Sequence, residues 1–287
     1  MLRTISTKAL LLGLLGAFLL SPFGTAGPAF AQDTVRELTQ VAGNVWRFQN
    51  NFHYALVVDT SDGVVVVDPI SADAARWLEA EIASRFDRPV THLIYSHSHG
   101  DHASGGTVLA DTATVIAQEN APDQMDGVAP DIRFSERLNF RSGGHRFELT
   151  YLGPGHGTDL LALVVRPENV AFIVDAVSPG RLPYRDFPGA DIAGLIEQIE
   201  RVEGLDFQIL APGHSRLGEK ADATAAREYI EWLRGAVAAE LKAGKGIDEV
   251  VETLDTSAYA DLGAYERWRD LNVQGMARWL QESGEVD

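Results

Sequence analysis

Cysteine is absent from this 287-residue sequence, so disulfides, zinc–thiolate sites and thiol nucleophiles are all excluded. Basic residues are scarce, because 24 Lys and Arg stand against 41 Asp and Glu, which gives a net charge of −17 at pH 7. A nucleic-acid backbone would repel such a chain, and we expect no nucleic-acid partner. The remaining composition, with 45% hydrophobic and 23% charged residues, is typical of a globular protein.

Long hydrophobic runs are also rare, and the clearest one lies at the start of the chain. Twelve apolar or Gly residues extend over Ala9–Leu20, and two basic residues precede them. As a helix this run would rise only ~18 Å, too short for a hydrocarbon core of roughly 30 Å. The small residues Ala29 and Ala31 suit a cleavage site before Gln32. We therefore predict an export signal over residues 1–31, no membrane span after its removal, and a periplasmic or secreted product.

Strand and helix patterns alternate through the rest of the chain. Val64–Val67 is a continuous apolar run, typical of a strand that is covered on both faces. Apolar residues at three- and four-residue steps predict helices capped by Ser71 or Asp73 and by Asp191. Beyond residue 218 the pattern is wholly helical, so we predict an α/β fold with a helical C-terminal extension. The predicted strands are 41–48, 54–59, 63–68, 90–95, 147–152, 160–166, 170–174 and 207–210.

The strongest chemical signal is a cluster of three His and one Asp within residues 97–102, directly after a predicted strand. His97 and His99 are two residues apart, so in extended backbone both side chains point to the same side and can bind one ion. Asp101 and His102 follow a Gly turn and can address a second ion. Imidazole and carboxylate ligands without thiolate suit Zn²⁺ and, less selectively, Fe or Mn.

Three more candidate ligands follow later predicted strands. His156, Asp175 and His214 each stand at the carboxyl end of a strand, where α/β sheets gather their ligands. A single His after a Pro-Gly turn is a weak signal, but the three residues together extend the cluster at 97–102. The sequence therefore predicts a metal site with five imidazole and two carboxylate ligands.

This set of residues resembles the metallo-β-lactamase superfamily over roughly residues 44–215. The resemblance implies an αββα sandwich over residues 32–218, with the helical extension of residues 219–287 packed on the same domain. Asp68 falls where members keep a structural Asp beneath the site, and a turn-forming role at the strand end is an equally good interpretation. Members bind two metal ions, each with its own group of ligands. By position, the ligands of the first ion match His97, His99 and His156, and those of the second ion match Asp101, His102 and His214. Asp175 matches a carboxylate that bridges the two ions.

The resemblance and the metal chemistry together predict an enzyme. Two divalent ions that share a water would lower its pKa from 15.7 towards ~7, so a metal-bound hydroxide would attack a carbonyl or phosphoryl centre. We expect a binuclear zinc-dependent hydrolase of an ester, lactone, thioester or lactam, in which Asp101 also orients the water and transfers its proton. Two zinc ions are the expected cofactors, with Fe or Mn as alternatives.

Departures from particular branches of the superfamily narrow this expectation. Asp175 stands where thiolate-containing β-lactamases have Cys, and Ser178 stands where they have Lys, which disfavours a dedicated β-lactamase. Persulfide dioxygenases share most of the ligands but use a single iron, so an iron-dependent oxidoreductase is one alternative. A non-catalytic metal-binding relative is the other.

Few residues qualify as substrate contacts. Arg181, Tyr184 and Arg185 follow Asp175 in a Pro- and Gly-rich stretch that could line the pocket, where a guanidinium would suit a carboxylate or phosphate. His53 lies just ahead of a predicted strand and could approach the pocket, although such a His is more commonly a partly buried hairpin residue. We expect a small-molecule substrate, and the sequence leaves the oligomeric state open.

Overall fold

The first half of the chain forms a seven-stranded sheet in this computed structural model, which describes residues 34–286. The strands lie in sequence order, antiparallel from the first to the fourth and parallel from the fourth to the seventh. They are β1 (Arg36–Ala42), β2 (Val45–Asn50), β3 (His53–Thr60), β4 (Gly63–Val67), β5 (Val90–Ile94), β6 (Thr114–Gln118) and β7 (Ile132–Phe134).

A second sheet of five strands follows. Four of its strands pair antiparallel in sequence order, and the last joins the sheet in parallel with its neighbour. They are β8 (Arg137–Ser142), β9 (His145–Tyr151), β10 (Leu161–Arg166), β11 (Val170–Ile173) and β12 (Ile209–Pro212). The helices are α1 (Ala72–Phe86), α2 (Gly100–Ala103), α3 (Ile192–Glu203), α4 (Lys220–Lys242), α5 (Ile247–Thr253) and α6 (Tyr265–Glu282), with 3₁₀ turns at Gly106–Val108 and Ser257–Tyr259.

Strand β4 shows how the layers are held together. All of its residues are buried, and successive side chains of a strand point to opposite faces. Val64 and Val66 therefore belong to the apolar cluster that packs α1 on the sheet, whereas Val65 and Val67 belong to the cluster between the two sheets. The second cluster continues through the second sheet to α3, α4 and α6. The layers thus run helix, sheet, sheet, helix, and the predicted αββα sandwich is confirmed.

Two helices begin at predicted caps. The Ser71 side chain accepts a hydrogen bond from the backbone N–H of Ala74 at the start of α1, while Asp73 lies in the first turn. The Asp191 carboxylate accepts from the backbone N–H of Gly194 at the start of α3. In each case the cap satisfies a donor that has no partner within the helix.

The C-terminal helices share the core of the sandwich. Helix α4 begins beside the predicted boundary at residue 219, with a capping box formed by Glu219 and Asp222. Its buried residues Tyr229 and Leu233 lie in the same apolar cluster as the strands of the second sheet. Residues 34–286 belong to one compact unit, and the division at residue 219 stays a prediction.

Some predicted bounds were wrong or missing. The last strand occupies Ile209–Pro212 rather than 207–210, because Val170 of β11 pairs with Ile209 and sets the register. No element was predicted between residues 103 and 146, where the structure has three strands. Of these, β8 is an edge strand in which polar and apolar residues alternate along Arg137–Arg141, and this strand signal was missed. The predicted signal over residues 1–31 lies outside the described residues, and within residues 34–286 no helix is long and apolar enough to cross a membrane.

Candidate metal centre

The predicted ligands lie where strands of both sheets end. Strand β5 leads directly into residues 96–102, and α2 begins at Gly100, which turns the chain back towards the sheet. From the second sheet, Asp175 follows β11 and His214 follows β12. The loop after β9 carries His156. Strand ends from two packed sheets therefore bring together residues that are far apart in sequence.

Four side chains form a first cluster. One possible ligand atom from each of His97, His99, His156 and Asp175 lies within 4.8 Å of all the others. The Asp175 Oδ2 atom is 3.3 Å from His97 Nε2 and 3.1 Å from His156 Nε2. His156 Nε2 is also 3.0 Å from His99 Nδ1. Three nitrogens and one oxygen thus converge on one point.

A second cluster shares the same carboxylate. His102, His214 and Asp175 also offer ligand atoms within 4.8 Å of one another. Asp175 Oδ1 is 3.0 Å from His214 Nε2, and Asp175 Oδ2 is 3.4 Å from His102 Nε2. Asp101 lies at the exposed side of this cluster, with its Oδ2 3.5 Å from His214 Nε2. Asp175 is therefore the residue common to both clusters.

All seven side chains predicted as ligands thus lie together: five line the bottom of one pocket, and His97 and His102 are buried directly beneath them. We call them the floor of the pocket: His97, His99, Asp101, His102, His156, Asp175 and His214.

Asp68 lies beneath the floor and fixes the orientation of its neighbours. The fully buried carboxylate accepts hydrogen bonds from the Ser96 backbone N–H at 2.8 Å, the Ser96 hydroxyl at 2.7 Å and His102 Nδ1 at 2.8 Å. Because His102 donates from Nδ1, its Nε2 faces the second cluster. Of the two interpretations left open for Asp68, this arrangement matches the supporting one.

The hydrogen bonds around Ser96 also indicate whether the floor can bind a metal ion. The Ser96 hydroxyl gives its proton to Asp68, so His97 Nδ1, 3.1 Å from Ser96 Oγ, donates to that oxygen. The opposite nitrogen, Nε2, then carries a lone pair, is buried, and has no hydrogen-bond partner among the described residues. An unprotonated imidazole nitrogen facing other nitrogens and a carboxylate suits a divalent cation of the zinc type.

His214 is held from two sides. Its Nδ1 donates to the Phe52 carbonyl at 3.1 Å, which leaves Nε2 directed at the floor. The loop that carries it is fixed by the buried Arg47, whose guanidinium donates to the carbonyls of Pro212 (2.7 Å) and Ser215. Burial lowers the pKa of Arg47 to about 10, so it remains charged at neutral pH. Arg47 was not singled out in the sequence, because nothing local marks an arginine that works through carbonyl groups.

In the buried half of the floor, Asp175 and His102 stabilise each other's charged form. Burial alone would raise the pKa of Asp175, but the adjacent imidazoles, His102 first, hold it well below the usual value. Burial alone would lower the pKa of His102, whereas the Asp175 and Asp68 carboxylates raise it well above 6.5. Without metal, the buried carboxylate and imidazole therefore stabilise each other as a charged pair.

The more exposed half behaves differently. Burial, followed by the charges of His97 and His156, lowers the pKa of His99 to about 4. His53 Nε2 lies 3.5 Å from Asp101 Oδ2, and hydrogen bonding from His53 lowers the pKa of that carboxyl below its usual range. At neutral pH the His99 ring is thus neutral and Asp101 is ionised, as ligand binding and hydrogen-bond acceptance require.

A cavity of about 560 Å³ opens above the floor, within the usual size range of small-molecule sites. Predicted contacts Arg181, Tyr184 and His53 all line it, whereas Arg185 does not. His53 lies where β3 begins, and its ring packs edge-on against His214 with centroids 4.9 Å apart.

Several lining residues were missed in the sequence, and three of them bear on substrate binding. Phe52, 76% exposed, lies in the turn between β2 and β3, and an apolar residue in such a turn was a usable signal. Arg267 and Trp268 come from the first turn of α6, and no local pattern links them to a site formed by residues far away in the sequence. We call the upper wall of the pocket the rim: Phe52, Arg181, Tyr184, Arg267 and Trp268.

Comparisons with known proteins agree with this geometry. Residues 49–214 match the family model of the metallo-β-lactamase superfamily. The alpha subunit of 2,4-dinitroanisole O-demethylase from Nocardioides sp. (strain JS1661) is 30% identical over 235 residues, 78% of this chain and 71% of that protein. Hydroxyacylglutathione hydrolase from Francisella tularensis is 24% identical over 165 residues, 57% of this chain and 63% of that protein.

The solved structures point the same way. A metallo-β-lactamase from Pontibacter korlensis superposes with a TM-score of 0.61 at 19% identity, covering 69% of this chain and 99% of that one. At this identity the likeness speaks for the fold alone. The family match, which spans more than half of the chain and ends at His214, shows that this chain belongs to the metallo-β-lactamase superfamily, whose members are mostly metal-dependent hydrolases.

Proposed function

We propose that the protein is an exported hydrolase that uses two divalent metal ions, zinc in the first place, to cleave an ester, lactone, thioester or lactam. The observation that carries this proposal is the pair of ligand clusters that share Asp175 at the bottom of a cavity of small-molecule size. His97, His99 and His156 would hold one ion with Asp175, and His102 and His214 would hold the other with Asp175 and Asp101.

The metals supply what the side chains lack. When bound, two divalent cations would lower the pKa of a shared water towards ~7 and neutralise the negative charge that develops on the substrate oxygen. The floor contributes rigidity, because its imidazoles are fixed by hydrogen bonds from their outer nitrogens. No reorganisation is then needed at the moment of reaction.

Asp101 is placed to handle the proton. Its carboxylate is ionised at neutral pH because the hydrogen bond from His53 lowers its pKa, and 47% of its side chain is exposed to the pocket. It can therefore accept a hydrogen bond from the attacking water and orient that water, and because its pKa is low it would hold the proton of the water only in passing. His53, as the donor to Asp101, is a positioning residue.

The rim supports a substrate with an apolar or aromatic body. Phe52, Tyr184 and Trp268 line the cavity, and its lining also includes Pro183, Phe187 and Leu195. Such a wall removes apolar surface from water and excludes solvent from the reacting carbonyl.

Metal analysis and a substrate panel test the proposal. The full chain, exported through its own N-terminus, is purified and assayed on nitrocefin, an acyl-homoserine lactone, S-lactoylglutathione and 4-nitrophenyl esters. We expect two zinc ions per chain and turnover that a chelator abolishes and zinc restores. One iron with oxygen consumption on a persulfide would favour an oxidoreductase instead. Equal behaviour of wild type and His99→Ala on every substrate would favour a non-catalytic metal-binding protein.

Cleavage of an aryl ether is a second candidate function. The relative at 30% identity is named for O-demethylation of 2,4-dinitroanisole, and the aromatic rim of this chain suits a flat aromatic substrate. Adding 2,4-dinitroanisole to the panel tests this candidate, since its demethylation releases the coloured 2,4-dinitrophenolate. Release at a rate above that of the best ester would make the ether the preferred substrate class.

Export is tested at the N-terminus. The basic residues, the apolar run and the small residues before Gln32 support cleavage by a signal peptidase. N-terminal sequencing of protein recovered outside the cytoplasm should begin at Gln32, and a retained Met1 on that protein would contradict the proposal.

A further inference from the structure

Two arginines approach each other in the rim. Arg181 comes from the loop after β11 and Arg267 comes from the first turn of α6, and both line the cavity above the floor. After burial, the charge of Arg267 is the second cause that lowers the pKa of the Arg181 guanidinium, so the two cations repel each other. A pair of like charges in a binding cavity favours a ligand of opposite charge.

No carboxylate among the described residues forms an ion pair with Arg181 or Arg267. Within residues 34–286, no carboxylate oxygen lies within 4.0 Å of either guanidinium, although the protein has a large excess of Asp and Glu. Arg278, also on α6, pairs with Asp186, and Arg269 pairs with Asp270 at 3.0 Å. Among the described residues, Arg267 therefore has no carboxylate partner in a helix whose other two arginines are paired, and Arg181 in the facing loop has none either.

Arg181 is held rigidly in place. One of its guanidinium nitrogens donates to the His214 carbonyl at 3.3 Å, and the guanidinium lies over the Trp268 ring, 4.3 Å from the centroid. The Tyr184 ring meets that indole edge-on at 5.1 Å. The cation is thus oriented before any ligand arrives, which lowers the entropy cost of binding.

The two segments that carry the pair are joined by the backbone. Leu182 N–H donates to the Gly263 carbonyl at 3.0 Å, and Gly263 N–H donates to the Gly180 carbonyl at 2.9 Å. Asn272 of α6 donates to the Pro183 carbonyl at 3.0 Å. These contacts fix the spacing between the first turn of α6 and the loop that carries Arg181.

Charge is distributed unevenly between rim and floor. Asp101 and Asp175 line the lower part of the cavity, whereas the rim has only the two arginines as charged groups. A substrate with a negative group at one end and a reactive carbonyl at the other would therefore bind in a single orientation, with its negative end at the rim.

We propose that Arg181 and Arg267 form an anion-binding subsite that takes the carboxylate, or a similar monoanionic group, of a substrate whose apolar or aromatic body lies against Trp268. This inference rests on the proposed function, because it names the substrate class for the same pocket. It makes the C-terminal helices part of substrate recognition.

A binding experiment tests the subsite apart from catalysis. Benzenesulfonate is a monoanion that coordinates metals weakly, and methyl phenyl sulfone is its neutral counterpart. Calorimetric titration of both into the metal-loaded protein should show benzenesulfonate binding about tenfold or more tightly than the sulfone. Arg267→Gln and Arg181→Gln should each remove most of that preference, Arg267→Lys should keep part of it, and high salt should weaken it.

Arg269→Gln is the matched control, because it removes the same charge from the same helix at a residue that does not line the cavity. It should bind both probes as wild type does. Equal affinity of wild type for the two probes, or an unchanged preference in Arg267→Gln and Arg181→Gln, would overturn the subsite. A loss of preference in Arg269→Gln as large as in Arg267→Gln would show an effect of net charge alone and would also overturn it.

A kinetic experiment separates this inference from the proposed function. A 4-nitrophenyl alkanoate and the 4-nitrophenyl monoester of a dicarboxylic acid of equal length differ only in the terminal carboxylate. Wild type should have the higher kcat/KM on the anionic ester, and Arg267→Gln should reduce the ratio of the two values about tenfold or more. No turnover of either ester, with the binding preference intact, would contradict the ester-hydrolase function and leave the subsite standing.

Discussion

The floor and the rim of the pocket are formed by different parts of the chain under different physical constraints. The floor comes from strand ends. Asp68 beneath it is fully buried and hydrogen-bonded, and the side chain of the shared carboxylate, Asp175, is only 9% exposed. The rim comes from a turn, a loop and a C-terminal helix, and Phe52 and Tyr184 are 76% and 58% exposed. A site of this kind can keep its chemistry fixed while its selectivity changes, because few contacts of the rim reach the floor.

The clearest exception to that separation is the region around His214. Arg181 of the rim donates to the His214 carbonyl, and the Phe52 carbonyl of the rim accepts from the His214 ring. A change in the rim is thus transmitted to the second cluster first. The experiments below test how independent the two regions are, in order of the expected effect.

Replacement of Asp175 should break the floor most completely. Asp175 adopts a left-handed backbone (φ 59°), which Asn also tolerates, so Asp175→Asn removes the charge without backbone strain. Metal charge stabilisation is worth several kcal/mol, so we expect kcat/KM to fall about a thousandfold, with loss of bound zinc. Metal content and turnover are measured together. Asp206→Asn, at a side chain that is 95% exposed, is the control, and a fully active, zinc-loaded Asp175→Asn would show that the floor does not depend on a shared carboxylate.

The protons of the floor should make metal binding depend on pH. The pKa of His102 is raised well above 6.5, so the metal-free protein holds a proton there at pH 7 that must leave before Nε2 can bind metal. His99, with a pKa of about 4, is neutral at that pH and has no proton to lose. For each proton that must leave the site, zinc affinity falls about tenfold for every pH unit of acidification. With the one proton of His102, we expect about a hundredfold loss of zinc affinity between pH 8 and pH 6.

Calorimetry in buffers of different ionisation enthalpy counts these protons. Zinc titration of the metal-free protein at pH 7 should release at least one proton from the protein. Release of none would mean that His102 is already neutral and would remove the charged pair of Asp175 and His102 from the description of the floor.

Asp68→Asn should weaken the floor without touching a ligand. The amide cannot accept hydrogen bonds from Ser96 and His102 as the carboxylate does, so the imidazole loses its fixed orientation. Loss of such an outer partner typically costs 10–100-fold in metal affinity or activity, and we expect that range. Asp131→Asn provides the control, because Asp131 also accepts from a backbone N–H, that of Val115, but lies outside the pocket. Zinc affinity by chelator competition decides, and equal values for both variants would contradict the supporting role of Asp68.

The same division explains what could be read from the sequence. The floor was predictable because its ligands lie in a short cluster and at strand ends, and the geometry of strands places such residues at one edge. The valine run of β4 and the caps Ser71 and Asp191 were predictable for equally local reasons.

The rim was only partly predictable, because its parts meet through tertiary packing alone. Arg181 and Tyr184 were found since they follow Asp175 closely, but Arg267 and Trp268 lie about ninety residues further along the chain. Their approach depends on a close contact between α6 and the loop after β11. No amphipathic pattern indicates which loop a helix will touch.

The contact between α6 and the loop after β11 allows the most sensitive test of whether the rim and the floor are independent. A methyl group on Gly275 of α6 would overlap the backbone of Asp186, so Gly275→Ala must push α6 away from the loop that carries Arg181. Overpacking of this kind typically costs about 1–3 kcal/mol in the free energy of unfolding. We expect KM for an aromatic ester to rise about tenfold as the rim opens, with bound zinc unchanged.

Gly235→Ala on α4 is the matched control, because a methyl group there meets open space. It should raise the free energy of unfolding by up to ~1 kcal/mol through helix propensity and leave KM unchanged. Thermal unfolding, zinc content and KM are measured for both variants. If Gly275→Ala lost zinc together with substrate affinity, the rim and the floor would be one mechanical unit, because displacement of α6 would then reach the second cluster through Arg181 and His214.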